Sequence, residues 1–311
     1  MRNILFAFLI LLISQGSFAQ EEYMEEDLKI DQFTEGTLTS PTTGEAKSLV
    51  IFVQGSGPTD RNGNQALMKN DGMKKIAREL AANGIASYRF DKRIFKMNEL
   101  NIKEEDLRFE DLVNDVEKIL NYFEERDTYN ELVIAGHSQG SLVGMLAARE
   151  KADAYISLAG AAQPIDNVIV EQIDKMAPQL TENARTAFNE IRENGQTTNY
   201  SPMLENIFKP SVQPYMQSWM KYDPAEEIEK LDIPVLIING TSDIQVEVKE
   251  AEMLKNAGPD SRLEIVENMN HIFREIKTDD RLVNTKSYNE PNLPLHPQLI
   301  PIITDFIKEL E

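Results

Sequence analysis

The sequence contains no cysteine and only three histidines in 311 residues. The first absence excludes disulfides, thiolate metal sites and cysteine nucleophiles, so the fold must hold by packing alone. The second lets a catalytic base be sought by elimination, and it would leave a zinc site to be built mostly from carboxylates. No metal and no cofactor is expected. Positive charge is scarce as well. Lys and Arg number 32 against 52 Asp and Glu, a formal net charge of −20, and a field of that sign repels phosphate backbones and anionic lipid surfaces. Nucleic acid is therefore not expected as a partner. The acids are scattered in short groups such as Glu104-Glu105-Asp106, the pattern of solvated faces.

Long apolar runs are missing too, except at the start. Arg2 is followed by an uninterrupted apolar stretch over 4–13 and then by Ser17-Phe18-Ala19, small residues at the spacing a signal peptidase reads. The stretch is short for a bilayer core of about 30 Å. These features predict a signal peptide over 1–19, with Gln20 first in an exported protein, periplasmic or extracellular. No lasting membrane anchor and no lipidated cysteine is expected after cleavage.

What is present alternates. Apolar, β-branched runs at 48–53, 85–90, 131–135, 154–159, 233–238 and 262–266 predict strands buried on both faces, as in a parallel sheet. Helical periodicity lies between them. Residues 73–82 end at Asn83-Gly84, and Phe109, Leu112, Val113, Val116, Ile119, Leu120 and Phe123 share one face. This rhythm predicts a doubly wound α/β sheet, with 33–40 as an antiparallel edge strand. It breaks over 162–230, where helical stretches at 168–176 and 182–193 precede Pro210, Pro214 and Trp219. The reading is a two-part core, 20–161 and 231–311, interrupted by a helical cap over 162–230. Met203, Phe208, Met216, Trp219 and Met220 of that segment are candidates for core or for an apolar pocket. Residues 281–297 read as a loop leading to a last helix at 299–310.

The strongest chemical signal is Gly136-His137-Ser138-Gln139-Gly140, directly after a strand and before a helix. Flanking glycines let a serine sit on a very tight turn with its hydroxyl above the sheet, beside a helix N-terminus. Ser138 is the candidate nucleophile. It needs a base. His137 adjoins it on a turn where neighbouring side chains diverge, and His296 sits in the tail between Leu295 and Pro297, which leaves His271, after the last predicted strand. An imidazole needs an acid to hold its tautomer. Asp243, just past the strand at 233–238, completes the chain order Ser, Asp, His, with Asp223 and Glu267 as weaker alternatives. For an oxyanion, the donors would be the backbone N–H groups of Gln139 and of Ser56, in the turn Gln54-Gly55-Ser56-Gly57-Pro58. That turn lacks the Gly-Lys-Ser/Thr ending of a nucleotide-binding loop.

With these residues in view the chain resembles the α/β-hydrolase superfamily over roughly 28–310. The stretch Gly55-Ser56-Gly57-Pro58-Thr59-Asp60-Arg61-Asn62-Gly63-Asn64 is similar to one in secreted bacterial esterases of the dienelactone-hydrolase-like and serine-aminopeptidase-like type. Arg89-Phe90-Asp91-Lys92-Arg93, Phe109-Glu110-Asp111-Leu112 and the Asn270-His271 pair are similar to the same branch. The resemblance implies the α/β-hydrolase fold with an eight-stranded, mostly parallel sheet, a helical cap, and hydrolysis of a small-molecule carboxylic ester through an acyl-enzyme. Two departures stand out. Gln54 occupies a place where many relatives have His, and Ile94-Phe95-Lys96 replaces a glycine-bearing loop. Asp60, Arg61, Asp91 and Arg93 are expected to form a charge network under the oxyanion turn. The same triad would serve a peptidase or amidase, and a degenerate fold would serve as a binding module, so both remain as alternatives.

Overall fold

The computed structural model describes residues 22–149 and 151–310, so the expected signal peptide lies outside the described residues. One eight-stranded sheet organises the chain: β1 (Tyr23–Lys29), β2 (Glu35–Pro41), β3 (Ser48–Val53), β4 (Ala86–Phe90), β5 (Glu131–His137), β6 (Ala154–Leu158), β7 (Val235–Gly240) and β8 (Arg262–Val266). Their order in space is β1-β2-β4-β3-β5-β6-β7-β8. From β4 to β8 every pairing is parallel, whereas β2 runs antiparallel to both β1 and β4.

The six expected core strands are all present. Successive side chains along a strand point to opposite faces. Leu49 and Ile51 therefore enter one apolar cluster, with the helices Glu110–Glu124, Gln139–Ala148 and Val248–Ala257. Val50 and Phe52 enter the other, with the helices Gly72–Ala82 and Leu299–Lys308. The sheet is thus covered on both sides, which is why its strands read as continuous apolar runs.

Three expectations need correction. The segment expected as the edge strand is second in the sheet, because Tyr23–Lys29 adds a strand outside it. Glu25, Glu26 and Asp27 hid that strand, since a solvated edge needs backbone partners rather than apolar side chains. β7 begins at Val235, not Ile233, because Pro234 has no N–H to give the ladder. The stretch 281–297 holds a short helix, Arg281–Ser287, whose first turn is capped by Asp280 accepting from the Leu282 N–H at 2.8 Å.

Between β6 and β7 the chain forms the helices Ile165–Met176, Thr181–Asn194, Glu205–Phe208, Gln213–Trp219 and Pro224–Ile228. Phe208, Met216 and Met220 are buried in the first cluster, while Met203 is 72% exposed and is no part of any core. The segment is fastened to the helix Glu110–Glu124 at its start. The Phe109 N–H donates to Ser218 Oγ at 2.7 Å, and the Phe109 and Trp219 rings stack with centroids 5.3 Å apart.

Candidate active site

β5 delivers Ser138 to the C-terminal edge of the sheet, where doubly wound folds bind their ligands. Ser138 has φ 54° and ψ −119°, a strained conformation for a residue with a side chain. Its N–H is held by the Leu158 carbonyl at 2.9 Å, and its own carbonyl accepts from the Ser141 N–H at 2.9 Å. The turn admits no side chain on either glycine. A Cβ on Gly136 would lie 2.2 Å from the Gly140 carbonyl oxygen, and one on Gly140 would lie 2.2 Å from that of Val53. The helix Gln139–Ala148 then points its free N–H groups and positive dipole end toward the serine.

Asp243 and His271 come together from the ends of β7 and β8. His271 Nδ1 and Asp243 Oδ2 are 2.7 Å apart, and both side chains are almost fully buried. The other carboxylate oxygen accepts from the N–H groups of Gln245 at 2.8 Å and Val246 at 2.9 Å. Asp243 is therefore fixed in orientation, and with it the imidazole. Ser138 and His271 line the same cavity, with Ser56, Thr59, Gln65, Asn70 and Tyr288 among its other walls.

The loop that carries His271 is held from two sides. His137 Nε2 donates to the His271 carbonyl at 2.9 Å, and the two rings sit 4.7 Å apart. Burial, with His271 as neighbour, pushes His137 down to about 3, so it remains a neutral donor. Asn270 accepts from the N–H groups of Ile272 and Arg274 and donates to Asn284 Oδ1 at 3.0 Å and Ser287 Oγ at 2.9 Å. The helix Arg281–Ser287 is thereby a brace for the loop. His296 takes another role: buried, it accepts from the Gln298 N–H through Nδ1. Asp223 caps the helix Pro224–Ile228 by accepting from the Ala225 N–H at 3.0 Å.

The turn after β3 is tied down by its carbonyls. Ser56 O accepts from Thr59 Oγ1 at 2.9 Å and Gln65 Nε2 at 3.1 Å. Gly55 O and Gly57 O accept from Lys92 Nζ at 2.8 and 3.0 Å. Gln54 is buried, and its Oε1 has no partner among the described residues. The expected four-residue charge network does not form as one unit. Arg61 grips Asp91 through Nε and Nη2 at 2.8 and 2.6 Å, whereas Arg93 turns to Asp115 and Asp111. Asp60 instead accepts from the N–H groups of Asn62 and Asn64 in its own loop.

A second cavity, of about 170 Å³, meets the first at Ser56, Ser138 and Gln245. Its walls include Leu142, Ile165, Val168, Ile169, Trp219 and Val246. Of the five large apolar residues considered for a pocket, only Trp219 lines it. Among the described residues neither cavity has an acidic or basic side chain other than histidine in its walls, although the chain as a whole carries −20.

The sequence profile described as serine aminopeptidase, S33, matches residues 69–276, most of the chain. The protein belongs to the serine aminopeptidase S33 family. The matched span of this S33 member takes in Lys92, Ser138, Asp243 and His271 and leaves out the Gly55-Ser56-Gly57 turn. Among curated proteins it is similar to Esterase EstD of Thermotoga maritima, 27% identical over an alignment of 260 residues, with 81% of this chain covered. This chain spans 61% of the length of that relative. Among solved structures it is similar to Est1E from Butyrivibrio proteoclasticus, with a TM-score of 0.54 and 17% identity over 93% of this chain and 98% of that one. It is also similar to a dienelactone hydrolase from Anabaena variabilis, with a TM-score of 0.53 and 14% identity over the same shares of the two chains. At such identities these structures establish the fold, which is that of the α/β-hydrolases, as the sequence led us to expect.

Proposed function

We propose that the protein is an exported serine hydrolase that cleaves small-molecule carboxylic esters through an acyl-enzyme. The observation that carries this reading is the 2.7 Å contact between Asp243 and His271 beside a cavity that His271 shares with Ser138. In the mechanism His271 takes the Ser138 proton as the hydroxyl attacks the ester carbonyl. Asp243 holds the tautomer and stabilises the imidazolium. The N–H groups of Ser56 and Gln139 receive the oxyanion. His271 then returns the proton to the leaving alcohol and activates water to release the acid.

The helical segment 162–230 is read as a cap, since Ile165, Val168, Ile169 and Trp219 wall the second cavity. That cavity borders Gln139 but not His271, so we assign it to the acyl group; the leaving group faces His271 in the first. An aminopeptidase must receive a free ammonium next to its acyl carbon, which calls for a carboxylate there. The absence of Asp and Glu from both linings, among the described residues, favours esters over aminoacyl amides. The similarity to an esterase of Thermotoga maritima supports the same choice. Export is proposed from Arg2, the apolar stretch and Ser17-Phe18-Ala19.

The test compares turnover of p-nitrophenyl esters of increasing acyl length with aminoacyl p-nitroanilides, each against Ser138→Ala. Ester turnover that depends on Ser138, with aminoacyl amides at least a hundredfold slower, is expected. Preferential amide turnover would replace this reading with the peptidase one.

A further inference from the structure

Lys92 is buried, yet among the described residues no carboxylate bonds to its ammonium. An ammonium has three N–H donors. Here the three go to Gly55 O at 2.8 Å, Gly57 O at 3.0 Å and Gln139 Oε1 at 3.1 Å. The first two acceptors flank Ser56. The third belongs to the residue directly after Ser138. One side chain therefore joins the two segments whose N–H groups serve the oxyanion in the proposed mechanism. The tie continues outward, for Gln139 Nε2 donates to Tyr215 Oη at 2.9 Å, and Tyr215 stands on the helix Gln213–Trp219.

Resting on the ester-hydrolase reading above, we propose that Lys92 is a positioning residue that clamps the two oxyanion donors, places a positive charge behind them, and works only while protonated. A neutral amine has two N–H donors for three acceptors, so one arm of the clamp is released when the proton leaves, and the charge goes with it. Burying an ammonium with no counter-ion costs stability, which a purely structural tie could avoid by using a neutral amide.

The geometry sets the pH at which this happens. Burial pushes Lys92 down to about 7, far from the usual lysine range. Nearby charges are already engaged. On its own segment Asp91 is gripped by Arg61, and Arg93 by Asp115 and Asp111. From the turn after β3 come Gly55, Ser56, Gly57 and Thr59, none of them charged. From the serine turn comes His137, and from the loop after β8 comes His271. From the helix Gln213–Trp219 comes Tyr215, which burial holds neutral to high pH.

The experiment measures kcat and KM for p-nitrophenyl butyrate between pH 5.5 and 9.5 in wild type, Lys92→Met and Gln139→Glu. The concentration of competent Ser138 in each preparation is obtained by titrating a separate aliquot with a fluorophosphonate, so that rates measured on the untreated protein refer to active sites. In wild type, kcat is expected to fall above about pH 7. Lys92→Met should lower kcat at pH 6 by about tenfold or more, leave KM within about twofold, and abolish the alkaline fall. Gln139→Glu places a carboxylate on Nζ and should move the alkaline limb upward by at least one pH unit; it also reports on the clamp if Lys92→Met fails to fold. An alkaline limb that persists in Lys92→Met, or does not move in Gln139→Glu, overturns the proposal while leaving the ester-hydrolase reading intact. A wild-type protein with no adduct at Ser138 overturns both.

Discussion

His137 donates its Nε2 proton to the main-chain carbonyl of His271, 2.9 Å away. The residue before the proposed nucleophile therefore holds the residue proposed as its base, although 134 positions separate them in sequence. His137→Phe keeps an aromatic ring and removes this donor. Its expected effect is a loss of about tenfold in kcat, the order of one net hydrogen bond, with KM little changed. Steady-state kinetics at a single pH check it; unaltered kcat would mean that the loop holds His271 without help from His137.

Asp243→Asn should leave the fold intact, because an amide oxygen can still accept from the Gln245 and Val246 N–H groups that Asp243 now binds. Its NH₂ would then face His271 Nδ1 and favour the wrong tautomer. Turnover is expected to fall by about 10⁴-fold with an unchanged melting temperature. A loss of stability in place of activity would make Asp243 a turn-former.

Gly140→Ala puts a methyl group 2.2 Å from the Val53 carbonyl oxygen, where backbone rather than a flexible side chain must yield. We expect destabilisation of about 3 kcal/mol or more, read by urea unfolding, along with loss of activity as the serine turn shifts. A variant of normal stability would show the turn to be looser than its contacts imply.

Stability and pH are linked through Lys92. Its folded-state value of about 7 lies below the 10.5 of an unperturbed lysine. Between those values the unfolded chain binds more protons than the folded one, so the Lys92 contribution to stability rises with pH across that window and is flat below it. Taken as the difference between wild type and Lys92→Met, stability should climb by up to a few kcal/mol from pH 7 to 10. Urea midpoints at pH 6, 8 and 9.5 measure it. A constant difference would place the lysine in contact with water.

Much of this molecule is readable in its sequence, for reasons the structure makes clear. Strands β3 to β7 are covered on both faces by helices, so the apolar run that marks each strand is the same feature that buries it. Ser138, Asp243 and His271 could be singled out because each follows the end of a strand and because histidine is so rare. β1 escaped notice because Glu25, Glu26 and Asp27 look like a solvated loop, and only the backbone of β2 makes them a strand. The helix Arg281–Ser287 is short and polar, and its meaning lies in Asn284 and Ser287 meeting Asn270. The Lys92 clamp reaches across 37 residues to Gly55 and 47 to Gln139, a convergence that no local pattern encodes.

The central claim is an activated serine at position 138. Intact-mass measurement of the purified protein after treatment with a fluorophosphonate, beside Ser138→Ala, tests it most directly. The account predicts one adduct on the wild type and none on the variant. A folded wild-type protein that takes no adduct, or a variant that takes one equally well, would contradict it.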